Sequence, residues 1–115
     1  MLVRLKKNYE FARVFRHGKR YVGKDISIHY RRNTLDHNRY GFTTRKHFGN
    51  AVTRNHMRRL MREALRSLAP FLSTGYDIIL MGRRLDAHTN YHAIRAELKT
   101  QLLRAKILSD NNGES

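Results

Sequence analysis

The chain has 115 residues and a mass of 13.7 kDa, enough for one hydrophobic core and not for two. Lys and Arg number 24 against 9 Asp and Glu, a formal charge of +15 at pH 7, so a polyanionic partner is expected. With 40% apolar residues the chain has enough to bury and is no disordered basic tail, and with no cysteine it has no disulfide, thiolate zinc site or cysteine nucleophile. No apolar stretch follows Lys6 and Lys7 as a secretory signal would require, and no window approaches the roughly 20 apolar residues of a membrane span. A soluble, cytoplasmic protein is expected.

Asn8 to His17 reads as a first helix: Asn8 can cap it, Phe11, Val14 and Phe15 recur at helical spacing, and Gly18 can supply a left-handed C′ residue. A short strand is possible near Tyr21 and Val22. Asp25 to Tyr30 alternates polar and apolar, and a polar loop around Asn33 to Asn38 leads into Arg39 to Thr44; these read as two antiparallel strands. From Asn50 to Leu68, Met57, Leu60, Met61, Ala64, Leu65 and Leu68 mark one apolar helical stripe. The connection around Pro70 leads to Tyr76–Met81, a nearly continuous apolar run expected in a strand covered on both faces. A last helix spans Asn90 to Ile107, capped by Thr89 or Asn90. Residues 1–108 form one domain, and 109–115 are a polar tail expected to be disordered. The sum is an α+β, two-layer sandwich with helices on a small sheet.

In the second helix Arg54, Arg58, Arg62 and Arg66 follow one another at four-residue steps, flanked by Asn55 and Arg59, with Glu63 the only acid in the segment. Such a ridge repels itself by a few tenths of a kcal/mol per pair, so folding alone does not ask for it. A merely solvated basic face would interleave acids. Guanidinium groups fork onto phosphate oxygens and stack on bases, which points to nucleic acid. Phe11 and Phe15 share a face of the first helix. They either belong to the core, which spacing favours, or line a groove against the Asp25–Tyr30 strand where single-stranded nucleic acid could stack.

Catalytic side chains are not evident. The nine acids are dispersed, which disfavours a carboxylate-held metal site, and His88 and His92 share an i,i+4 spacing but lack further ligands. No phosphate-binding glycine loop or nucleophile elbow occurs.

The run Lys46-His47-Phe48-Gly49-Asn50-Ala51-Val52-Thr53-Arg54-Asn55-His56-Met57-Arg58-Arg59-Leu60-Met61-Arg62-Glu63 closely resembles the signature of the bacterial ribonuclease P protein subunit. Leu5-Lys6-Lys7-Asn8, Phe11, Val14-Phe15, Gly18, Tyr40-Gly41-Phe42 and Asp77-Ile78-Ile79 extend the resemblance over nearly everything but the tail. It implies an αβββαβα-type order on a small mixed sheet, with a left-handed βαβ crossover through the arginine helix, as in the ribosomal protein S5 domain 2-like fold. It further implies a ribonucleoprotein in which a catalytic RNA, using Mg2+ held mainly by that RNA and the substrate, removes the 5′ leader of precursor tRNA. Neither a membrane nor a DNA partner is expected. By position, Lys46, Asn50, Arg54, Asn55, Arg58, Arg59 and Arg62 would hold RNA, and Phe11 and Phe15 would line the leader groove. The sheet residue stacking there would be His29 or Tyr30, which alternation sets on opposite faces. His56 stands where the family usually has arginine, and histidine is mostly neutral at pH 7. A non-enzymatic ribosomal or other RNA-binding module is the alternative, since the basic helix alone would suffice for it. A helix-turn-helix DNA reader fits poorly, because a proline connection and a buried strand follow the arginine helix.

Overall fold

The computed structural model describes residues 2–109. Of the expected polar tail, only Ser109 falls within them. Three helices, one 3-10 turn and four strands follow in the order α1 (Asn8–His17), β1 (Lys19–Val22), β2 (Ile26–Arg32), β3 (Arg39–Thr44), α2 (Ala51–Leu68), the turn Ala69–Phe71, β4 (Tyr76–Gly82) and α3 (Tyr91–Arg104).

The start of α1 is fixed differently from the expectation. Lys7, not Asn8, occupies the N-cap, and the carboxylate of Glu10 reaches back to accept from the backbone N–H of Lys6 at 2.7 Å and of Lys7 at 2.8 Å. A carboxylate there satisfies orphan donors and faces the positive end of the helix. Gly18 ends α1, yet its backbone is extended (φ −90°, ψ −178°) rather than left-handed. Glycine is needed for room: a Cβ at Gly18 would collide with the carbonyl oxygens of Tyr30 and Val14. In α2 the Asn50 side chain accepts from the Thr53 N–H, and in α3 Asn90, not Thr89, does the same for Ala93, both at 2.9 Å. Helix α3 stops at Arg104, short of Ile107, because the chain turns back through a left-handed Lys106. That turn lets Ile107 and Leu108 close the core beneath Leu72.

The sheet order is β1-β2-β4-β3. Strand β4 pairs antiparallel with β2 and parallel with β3, so β2 and β3 run in opposite directions, as expected, with β4 between them. The reason lies in β4. Its residues Ile78, Ile79 and Leu80 are all fully buried, so it takes the centre, and the parallel β3–β4 pair then needs α2 as its crossover. Two faces result. On one, Ile26, Ile28, Phe42, Ile78 and Leu80 pack against the stripes of α2 and α3, including Met57, Met61, Leu65, Ile94 and Leu98. On the other, Ile79 packs with Val14 of α1, Leu5 and the half-buried Phe11. Thus α1 stands on one side of the sheet and the arginine helix on the other.

Candidate nucleic-acid interface

Each four-residue step along α2 advances about 40° around the axis. Arg54 therefore starts beside the buried stripe and Arg66 ends on the exposed side, with Arg58 and Arg62 half-buried between them and Arg59 exposed beyond. Apart from the Arg59–Glu63 pair at 3.3 Å, no carboxylate pairs with these guanidinium groups among the described residues. Arg54 donates to the Gly49 carbonyl at 2.7 Å and Arg58 to the Asn55 side chain at 3.0 Å, which spreads and orients them without neutralising them. Asn50 caps the helix through its side-chain oxygen, and Lys46 is exposed in the turn just before it.

One contributor to this ridge is not legible from spacing. Arg4 lies with its guanidinium 5.1 Å from the centroid of Phe42 and near Arg62; burial and the Arg62 charge both lower its pKa. Its place depends on residues 3–5 adding to the free edge of β3, where Leu5 N–H donates to the Tyr40 carbonyl and Tyr40 N–H to that of Val3, each at 2.9 Å. The cationic surface therefore continues from α2 onto the amino-terminal segment.

On the other face, Phe15 is 42% exposed and sets its ring edge-on to His29, with centroids 4.9 Å apart and planes at 69°. Ser27 holds the imidazole through its Nε2 at 3.0 Å. Burial, then the charge of Arg20, lower the His29 pKa, so the ring is neutral at pH 7 and presents a stacking surface. Phe15, His29, Lys19 and Arg20 line a cleft of about 380 Å³ in which rings and cations are interleaved.

The structure divides the four aromatic candidates. Phe11 turns toward Gly41 and Ile79 and does not line that cavity. Tyr30 lies on the opposite face, 8% exposed and packed against Tyr21 and Tyr76, because strand alternation separates it from His29. It is therefore no part of the Phe15 cleft. Gly41 is what lets the Phe11 ring approach the sheet: a Cβ there would stand 2.5 Å from the ring. Gly41→Ala is expected to lift the ring and splay α1, weakening stability by about 1 to 3 kcal/mol in urea titration; unchanged stability would contradict that packing.

The position of α1 is set by a three-membered ion cluster. Arg39 of β3 donates from Nε and Nη2 to both oxygens of Asp77 at 2.9 and 2.7 Å, and from Nη1 to Glu10 of α1 at 2.7 Å. Asn33 completes the Asp77 shell at 2.9 Å. The backbone donors of Lys7 and Lys6, then Arg39, hold the Glu10 carboxyl below the usual carboxylate range.

A crossed mixed sheet with a cationic helix on one side and an aromatic, basic cleft on the other defines a compact RNA-binding protein of the α+β class. The family model described as Ribonuclease P matches residues 2–106, and the chain belongs to the ribonuclease P protein family. It is 42% identical over 110 residues to the ribonuclease P protein component of Natranaerobius thermophilus, covering 96% of each chain. It is 34% identical over 104 residues to that of Clostridioides difficile, covering 90% of this chain and 91% of the other. Among solved structures, the Staphylococcus aureus RNase P protein superposes with a TM-score of 0.81 at 28% identity, over 95% of this chain and all of that one.

Proposed function

We propose a division of labour between the two faces of this ribonuclease P protein component. The α2 ridge, with Lys46, Asn50, Arg54, Asn55, Arg58, Arg59 and Arg62 and extended by Arg4, binds the catalytic RNA. The cleft of Phe15 and His29 binds the single-stranded 5′ leader of precursor tRNA, with Phe11 beneath α1 supporting it. The observation that carries this reading is the opposed placement: unneutralised guanidinium groups on one side of the sheet, and an open aromatic cleft edged by Lys19 and Arg20 on the other. One protein can then hold two RNAs without competition between them.

The chemistry belongs, in this reading, to the RNA partner. Among the described residues no three His, Asp or Glu side chains converge as a metal cage, and Glu10, Asp77 and Asp25 are engaged by Arg39 and Arg84. The Mg2+ of the reaction is assigned, in this reading, to catalytic RNA and substrate, as the family resemblance implies. The protein's part is to neutralise phosphates and fix the leader, which raises affinity for precursor over mature tRNA. No helix among the described residues is long and apolar enough to cross a membrane, and we place the particle in the cytoplasm with its tRNA substrates.

Phe15→Ala tests the leader reading. Loss of one stacked base is worth about 1 to 3 kcal/mol, so affinity of the holoenzyme for precursor tRNA should fall roughly tenfold while affinity for mature tRNA stays unchanged. Equal binding of precursor by both proteins would sink the assignment.

A further inference from the structure

A second aromatic, cationic cleft lies just across the α1–β1 junction from the first. Strand β1 begins at Lys19, opposite Tyr30, so Arg31 and Arg32 of β2 run past its end and leave a notch of about 250 Å³. Its walls include His17, Lys19, Tyr30, Arg32 and Tyr76, and no acid lines it. The rings form a row: Tyr21 and Tyr30 lie parallel with centroids 6.3 Å apart, and Tyr76 meets Tyr30 edge-on at 6.4 Å. Arg32 covers the end of that row, with its guanidinium 5.2 Å from the Tyr76 centroid and Nη1 donating to the Tyr76 hydroxyl at 3.3 Å. Among the described residues no carboxylate pairs with Arg32, Arg31 or Lys19. Asp77, next in sequence to Tyr76, points to the other face, where Arg39 holds it.

A folding role accounts for the buried Tyr30 but not for an exposed guanidinium laid over a tyrosine in a notch without acids. The group is held beside the ring by its Tyr76 hydroxyl bond yet remains exposed, an arrangement that can accept a base by stacking and a phosphate by its remaining N–H donors. The notch is smaller than the roughly 300 Å³ at which drug-sized pockets begin, and suits one nucleotide unit. Gly18 and Lys19 line both this notch and the Phe15–His29 cleft, so the two adjoin at the α1–β1 junction, although Tyr30, Arg32 and Tyr76 belong to the sheet face opposite His29.

We infer that the Arg32–Tyr76 notch is a further RNA subsite that takes a nucleotide of the precursor leader beyond the segment held by Phe15 and His29. This rests on the leader reading of that first cleft. The test uses holoenzyme assembled from the full chain and its catalytic RNA, and precursor tRNAs whose leaders are lengthened one nucleotide at a time. Wild type should show a late gain in affinity at leader lengths beyond those sensitive to Phe15→Ala. Arg32→Ala should lose that late gain, roughly threefold to tenfold, and leave short leaders unaffected. Tyr76→Phe, which keeps the ring, should retain most of it. If wild type and Arg32→Ala coincide at every length while Phe15→Ala still loses leader dependence, the subsite is wrong and the first cleft stands. If wild type itself shows no leader dependence, both fall. Weakened binding of Arg32→Ala to the catalytic RNA without substrate would also overturn the proposal, by giving the notch to that RNA.

Discussion

Replacing Arg58 and Arg62 together by glutamine is expected to weaken binding of the protein to the catalytic RNA by roughly 100-fold at moderate salt, at about 1.5 kcal/mol per lost charge-assisted phosphate contact. The dependence of log K on log salt should flatten by about 1.4 to 1.8, the counterion term for two phosphates. The fold should not suffer. Arg58 donates to the Asn55 side chain, and Arg62 lies beside another cation, Arg4, so removing them breaks no ion pair and relieves repulsion. Urea unfolding should move by no more than about 0.5 kcal/mol. An unchanged salt slope, measured by filter binding across a salt series, would show that this ridge does not touch phosphate.

The second large effect is on stability. Arg39→Met leaves the Asp77 carboxylate, 4% exposed, with Asn33 but no cation, and frees Glu10 from β3. Breaking one partner out of such a cluster costs about 3 to 5 kcal/mol, a large share of the roughly 5 to 15 kcal/mol that holds a domain together. Arg39→Lys should recover only part of this, because one ammonium cannot fork onto Asp77 and reach Glu10 as well. The pH dependence has a definite sign. Folding lowers the Glu10 pKa, so its stabilisation is complete above the ordinary carboxylate value of about 4.3 and fades as pH falls through the lower folded value. Since the backbone donors of Lys7 and Lys6 are the leading causes of that shift, Arg39→Met should keep most of the Glu10 share of acid sensitivity. Urea titrations of both proteins at neutral and acid pH check this. A Met variant as stable as wild type at pH 7 would show that the cluster does not hold α1 in place.

These two predictions mark what the chain's own pattern discloses. The arginine ridge, the stripes of α2 and α3 and the central place of β4 depend on local periodicity, and local periodicity is written in consecutive residues. The ion cluster depends on Arg39 meeting Glu10 and Asp77, 29 and 38 residues away, a coincidence that only the β3–β4 register creates. Arg4 joins the ridge only once the amino-terminal segment has paired with β3. Gly41 likewise looks ordinary until Phe11 is laid on it. The opposite directions of β2 and β3 agree with the antiparallel reading, but alternation reports which face a residue takes, not which strand lies beside it; β4, later in sequence, separates them. Alternation did foretell that His29 and Tyr30 part company, and the contact of His29 with Phe15 shows which of them borders the cleft. Gly18 was recognisable as a helix end, but its purpose is close approach to the Tyr30 carbonyl, which no helix-end pattern encodes.

The opposed faces can be mapped directly, because a chain with no cysteine accepts a single new one as a unique attachment point. A hydroxyl-radical reagent tethered at His56→Cys, on the exposed side of α2, and another at Val22→Cys, 50% exposed on the cleft side of the sheet, would each cut the RNA nearest to it in the assembled holoenzyme with precursor tRNA. The α2 reagent should cut the catalytic RNA, and the β1 reagent the substrate leader. Cuts in the leader from α2, or in the catalytic RNA alone from both positions, would contradict the separation of the two surfaces.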